Sequence, residues 1–326
     1  NLSNNSSLVS PPREILQQGR KAVLRYFNRI NQEGSEVIFE AKITLVGEGN
    51  AGKTTLLRKL LDPSALPPNE EERTRGILIA DWEISKRNDT KYIAHIWDFG
   101  GQDVYYPVHR FFLTENSVFV LLASTRQNSH EFNYWIPTIF QFGGKSPIIL
   151  AQTCHDGNIV AWNDIGGYVA NENFNIIKDS EKFYHELDLI NKNGGLEKIR
   201  QSIINQIFNL PHINKKVPKS WIVVRELIGE LQNLNCLSYG TLKEKIHTRL
   251  PNNFRTKEDF DDCIGFFHSI GILLWYNTES NLKEWVILNP KWAVDAVYKI
   301  IDDDVIQKQK GIVFAKDFSR VWNEKI

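Results

Sequence analysis

No methionine occurs in this chain of 326 residues, and its first residue is Asn1, so a fragment of a longer protein is expected. Cysteine is scarce. Cys154, Cys236 and Cys263 lie far apart, without metal-ligand spacing, which suits free thiols in a reducing, cytoplasmic setting. Net charge is missing as well: 39 basic residues balance 39 acidic ones, so no global field draws the chain to nucleic acid or to an anionic membrane. No apolar run reaches the ~20 residues that a membrane helix needs. No charged-then-apolar leader opens the chain. What remains is an ordinary globular composition, 42% hydrophobic and 24% charged, at a length that suggests two domains with a core each.

The most informative run is Gly47-Glu48-Gly49-Asn50-Ala51-Gly52-Lys53-Thr54. It fits the phosphate-binding pattern G-x-x-x-x-G-K followed by Ser or Thr at every fixed position. Ala41–Val46 before it reads as a strand, and Thr54–Leu61 after it reads as a helix. A strand, a glycine loop and a helix N-terminus in that order aim backbone N–H groups and a helix dipole at phosphate oxygens.

Around this loop the chain alternates strands with helices. Strands are expected at 41–46, 77–84, 92–97, 118–123, 147–151 and 186–190. Helices are expected at 52–61, 106–113, 131–142 and 195–210. That grammar predicts an α/β domain with a mostly parallel six-stranded sheet covered on both faces. A further helix opens at Pro11, with Ser10 as its cap, and runs to about Asn31. Residues 211–218 read as a linker. Beyond them, helices at about 219–232, 239–249 and 257–269 precede a hairpin of 272–276 with 284–288 and another helix from Pro290. This second domain is smaller, mainly helical and winged-helix-like (α+β). Its candidate reading helix opens with Glu258, Asp259, Asp261 and Asp262 against the single base Lys257, which argues against nucleic acid as a partner.

Within the first domain each motif has an expected role. Gly49, Asn50, Ala51 and Gly52 give close backbone approach, with Asn50 suited to a left-handed turn. Lys53 reaches the β- and γ-phosphates, Thr55 lies beside them, and the Thr54 hydroxyl coordinates Mg2+. Asp98-Phe99-Gly100-Gly101-Gln102 ends a strand: Asp98 assists the metal, the Gly101 N–H meets the γ-phosphate, and Gln102 orients the attacking water. Thr74 closes over the metal from the loop 62–76. Asp156, in Thr153-Cys154-His155-Asp156, accepts two hydrogen bonds from guanine and selects it over adenine. Lys192, in Asn191-Lys192-Asn193, flanks the base from the other side. An ATPase is the alternative that Asp156 opposes. A non-enzymatic scaffold that binds nucleotide weakly or not at all is the alternative that Cys154 favours.

With these motifs in place the chain resembles a Ras-like P-loop GTPase, and more closely the Roc domain of Roco proteins. The cues are Trp97-Asp98-Phe99-Gly100-Gly101-Gln102, Tyr134-Trp135 and Gly143-Gly144-Lys145-Ser146-Pro147. Ser220-Trp221 and Leu288-Asn289-Pro290-Lys291-Trp292 resemble the COR domain that follows Roc. Ser10-Pro11-Pro12-Arg13-Glu14-Ile15 resembles the end of a leucine-rich-repeat array. The resemblance implies three parts: residues 1–35 as the repeat cap and linker helix, 36–210 as the Roc GTPase domain, and 211–326 as the N-terminal part of COR. It implies binding of GTP and GDP, slow hydrolysis with Mg2+, homodimerisation through COR, and an effector protein that it does not identify. Arg126 fits a Roco-type D-x-R position, with Ser124 in place of the aspartate, and is a candidate catalytic arginine. Where the family has N-K-x-D, this chain has Thr-Cys-His-Asp, a departure on the base side and not the phosphate side.

Overall fold

The structure is a computed structural model that describes residues 11–12, 15–16, 18–69, 72, 74, 76–85, 91–101, 106–126, 131–154, 162, 165–178, 183–190 and 193–322. By contacts the chain divides into two compact units. One comprises residues 1–40 with 211–293, the other residues 41–210 with 294–326.

The larger unit is built on a seven-stranded sheet. Its order is 77–85, 91–99, 40–47, 117–124, 148–153, 176–177, and the strand His185–Leu187 also pairs with 148–153. Strands 40–47, 117–124 and 148–153 run parallel and are buried almost throughout, as strands must be when helices cover both faces, and 40–47 buries Lys42 and Thr44 among its apolar residues. Strand 77–85 joins 91–99 as an antiparallel pair. The six expected strands are all present, and the two-residue strand Ile176–Ile177 is an addition. Four parallel strands end side by side: Gly47 pairs with Leu122, Ser124 with Thr153, and Thr153 with Leu187. Ligands of open α/β sheets bind in the crevice outside such strand ends.

Two expectations for this unit change. The helix expected over 106–113 covers only Tyr106–His109. The buried Lys42 ammonium donates to the Phe112 carbonyl at 2.5 Å and to the Thr114 hydroxyl at 3.3 Å, which leads the chain away from a helical course. The strand expected over 186–190 stops at Leu187; Asp188 then bridges to Gly194, and Leu189 and Ile190 turn out of the sheet.

The smaller unit packs helices Arg20–Glu33, Lys219–Glu230, Tyr239–Arg249 and Lys257–Ser269 around Tyr26, Trp221, Phe260, Phe266 and Phe267. The expected linker is part of this unit: Lys216–Pro218 forms an antiparallel ladder with Ser35–Val37. The expected hairpin is also re-partnered. Trp285–Ile287 pairs with Cys236–Ser238, and Leu274 meets Ile287 only as an isolated bridge. A local pattern names a strand, but its partner is a long-range choice made by the core.

Ion pairs hold the first of these helices in place: Arg25 to Asp262 at 3.0 Å and Arg29 to Asp259 at 3.1 Å. Burial raises the Asp262 pKa while Arg25 opposes the rise. Arg25→Ala leaves that carboxylate without its main partner and is expected to lower the stability of this unit by about 2 kcal/mol. Chemical denaturation followed at its tryptophans checks this; an unchanged midpoint contradicts it.

Candidate functional site

The glycine loop leaves the sheet at Gly47, whose φ of 130° and close approach to the Leu122 carbonyl exclude a side chain: a Cβ would stand 2.0 Å from that oxygen. Asn50 takes the left-handed conformation expected of it, at φ 62°. Gly52 caps the helix Lys53–Leu61. Thr153 braces the loop from the neighbouring strand end, its hydroxyl donating to the Ala51 carbonyl at 3.0 Å. Gly101 lies against the loop so closely that a Cβ there would sit 2.5 Å from Glu48 and Gly49 backbone atoms.

Beneath the loop, polar groups converge. Thr54 donates to Asp98 Oδ2 at 2.6 Å, Thr74 donates to the same oxygen at 2.9 Å, and the two hydroxyls are 2.7 Å apart. Asp98 is fully buried, and its Oδ1 has no hydrogen-bond partner among the described residues. Burial raises its pKa, against the pull of Lys53, Thr54 and Thr74. The Lys53 ammonium donates to the carbonyls of Gly47 at 2.8 Å and Glu48 at 2.6 Å. Burial pushes it down to about 8, while the charges of Asp98, Glu48 and Glu131 hold it up. Two hydroxyls beside one carboxylate form an all-oxygen donor set with a spare buried oxygen. That set fits Mg2+, which takes few protein ligands and completes its shell from phosphate and water.

Gly49, Asn50, Ala51, Gly52, Lys53, Thr54, Thr55, Thr74, Gly101 and Arg126 all line one cleft of about 370 Å³. The structure therefore brings these expected residues together, with Asp98 under the floor. Gln102, Asp156 and Lys192 lie outside the described residues. Sequence reasoning missed Leu189 and Ile190, which line the same cleft together with Cys154, Pro68 and Asn69. Their signal in the sequence is only an apolar strand end, because the turn after Leu187 is what aims them inward.

A glycine loop, a buried carboxylate at a strand end and a parallel sheet of this order define a Ras-like P-loop nucleotide-binding domain. Residues 42–156 match the family model described as Ras of Complex, Roc, domain of DAPkinase, and residues 218–326 match that described as C-terminal of Roc, COR-A domain. Residues 42–156 thus carry a Roc domain of the Ras-like GTPase class, and residues 218–326 a COR-A domain. It is similar to the probable serine/threonine-protein kinase pats1 of Dictyostelium discoideum, at 24% identity over 98% of this chain and 11% of that protein. It is also similar to a Roc-COR-CHAT protease of Runella zeae, at 26% identity over 89% of this chain and 32% of that protein. Among solved structures, the GDP-bound RocCORdC of Methanosarcina barkeri Roco2 has a TM-score of 0.73 and 26% identity, over 90% of this chain and 86% of that one. The chain spans 11% and 32% of the length of these two curated relatives. No helix among the described residues is long and apolar enough to cross a membrane.

Proposed function

We propose that this chain is a GTP-binding switch that hydrolyses GTP slowly to GDP and phosphate, its nucleotide state governing the segments 62–76 and 98–113 and a homodimer held through COR. The observation that carries the reading is the meeting of Thr54, Thr74 and Asp98 Oδ2 within 2.9 Å of one another, at the foot of the loop that holds Lys53. Thr74 comes from the loop before strand 77–85 and Asp98 from the end of strand 91–99, so both segments report on what the loop holds.

In this reading the backbone N–H groups of Gly49 to Thr54 cradle the phosphates, and Lys53 bridges the β- and γ-oxygens. Thr54 and Thr74 would hold Mg2+ with Asp98 behind them; the ion would neutralise charge that develops on the transferred phosphoryl group. Gln102 orients the attacking water, and Gly101 offers its N–H to the γ-phosphate. Asp156 reads guanine, and Lys192 flanks it. Arg126, already in the cleft, is the candidate for a further positive charge at the γ-phosphate. In sequence terms the switch domain is 36–210 and the start of COR is 211–326, with 1–35 as the end of a leucine-rich-repeat region. An effector protein and a cytoplasmic setting complete the proposal.

Single-turnover hydrolysis with Mg2+ tests it. The wild type is expected to release phosphate at roughly 10⁻⁴ to 10⁻² s⁻¹, and Gln102→Leu at least about tenfold more slowly. Labelled GDP should outcompete ADP, and Asp156→Asn should favour the xanthine nucleotide over GDP. A non-hydrolysing scaffold that binds nucleotide weakly or not at all is the second reading. It is favoured by Cys154, a buried thiol turned to its own strand through the Gln152 carbonyl, where the family has a lysine. Phosphate release from neither protein would leave that reading standing.

A further inference from the structure

Glu48 fills a free position of the phosphate loop, and as a carboxylate only 5% exposed it would repel a polyanion held nearby. Its Oε1 accepts the backbone N–H of Glu131 at 3.0 Å, directly before the helix Phe132–Gly143, where the helix dipole favours an anion. Glu131 is the N-cap residue of that helix, yet its side chain makes no capping bond. It accepts the Tyr106 hydroxyl instead.

Tyr106 is held by the same helix in two further ways. Its ring stacks on Tyr134 at 4.7 Å and meets Trp135 edge-on at 5.1 Å. The Tyr134 hydroxyl donates to the Tyr106 carbonyl at 3.0 Å. Two anchors thus bound the stretch of chain between Gly101 and Tyr106. Gly101 is packed against Glu48 and Gly49, and Tyr106 is bonded to Glu131, which is bonded to Glu48. Gln102 follows the first anchor directly.

We propose that Glu131 and Tyr106 are positioning residues for GTP hydrolysis, forming with Glu48 a tether from the phosphate loop to the far end of the segment that carries Gln102. The inference rests on the GTPase reading and adds residues to it. Neither side chain lines the nucleotide cleft, so the tether acts on the placement of the catalytic segment and not on nucleotide contacts.

The test compares Tyr106→Phe, Glu131→Ala, Glu131→Gln and the Tyr106→Phe/Glu131→Ala pair, with fluorescent-GDP affinity as the measure that each variant is folded. Misplacing a catalytic segment by about 1 Å costs up to about 100-fold, so Tyr106→Phe and Glu131→Ala are expected to lower kcat by about 10- to 100-fold. GDP affinity should stay within about threefold, the split that marks a loss felt in the transition state. The double variant should be no slower than the worse single one, since one tether is cut only once. Glu131→Gln keeps an acceptor and should recover part of the rate. Unchanged kcat in Tyr106→Phe, or a double variant whose losses multiply, overturns the tether while the GTPase reading stands. A wild type without turnover overturns the GTPase reading and the positioning role together.

Discussion

Lys53→Ala is expected to weaken GDP and GTP binding by about 1000-fold, roughly 4 kcal/mol. One part of the loss is the two charge-assisted hydrogen bonds from a buried ammonium to phosphate oxygens, each contributing about 1.5–3 kcal/mol. The other part comes from what remains. Asp98, Glu48 and Glu131 all act on Lys53 electrostatically, so without it the phosphates would face three carboxylates and no compensating side chain beneath the loop. The same charge balance sets a pH dependence. Lys53 in the free protein loses its proton at about 8, and bound phosphates would hold that proton on. Above that pH, binding must therefore take up a proton, and affinity falls as pH rises, towards about tenfold per pH unit. Equilibrium titration of fluorescent GDP from pH 7 to 10 measures both. A Kd for Lys53→Ala within tenfold of the wild type, or a flat pH profile, would show that the loop amides alone hold the nucleotide.

Residues whose role is local are legible in the amino-acid sequence. Gly47 to Thr54 can be placed because strand, loop and helix are contiguous, and the loop's geometry needs only its own glycines. Asp98 follows because a strand end fixes where its carboxylate points. The residues that escape depend on long-range choices. Lys216–Pro218 reads as a linker by its proline and lysine, yet Ser35–Val37 offers it a ladder. Trp285–Ile287 reads correctly as a strand and suggests the wrong partner, because its true neighbour Cys236–Ser238 lies two helices earlier in the chain. Leu189 and Ile190 pass for a strand continuation until Asp188 bridges to Gly194 and turns them into the cleft. Glu48 and Glu131 occupy no fixed motif position. Their meaning exists only in the bond between them.

Gly76→Ala is the second substitution with a large expected effect, and its partner is remote in sequence. Gly76 has φ 80°, which costs an L-residue about 1 kcal/mol or more. An alanine Cβ there would also stand 2.5 Å from the ring of Tyr298, a side chain 4% exposed on the helix Pro290–Ile301. With overpacking at about 1–3 kcal/mol, the total destabilisation is about 3 kcal/mol. Function should suffer too. The Gly76 carbonyl accepts the Gly100 N–H at 2.6 Å, and Thr74, two positions earlier, shares Asp98 with Thr54. A displaced Gly76 therefore disturbs both segments that converge on the phosphate site. Tyr298→Ala alone leaves a cavity and should cost about 3 kcal/mol. If the ring is what an alanine at 76 meets, the double variant loses less than the two single losses added, by about 2 kcal/mol. The strain of φ 80° persists, so recovery is partial. Denaturation midpoints of the four proteins, with GDP affinity measured on each, decide it. Strict additivity would mean that the Tyr298 ring yields freely, and that Gly76 is required for its backbone conformation alone.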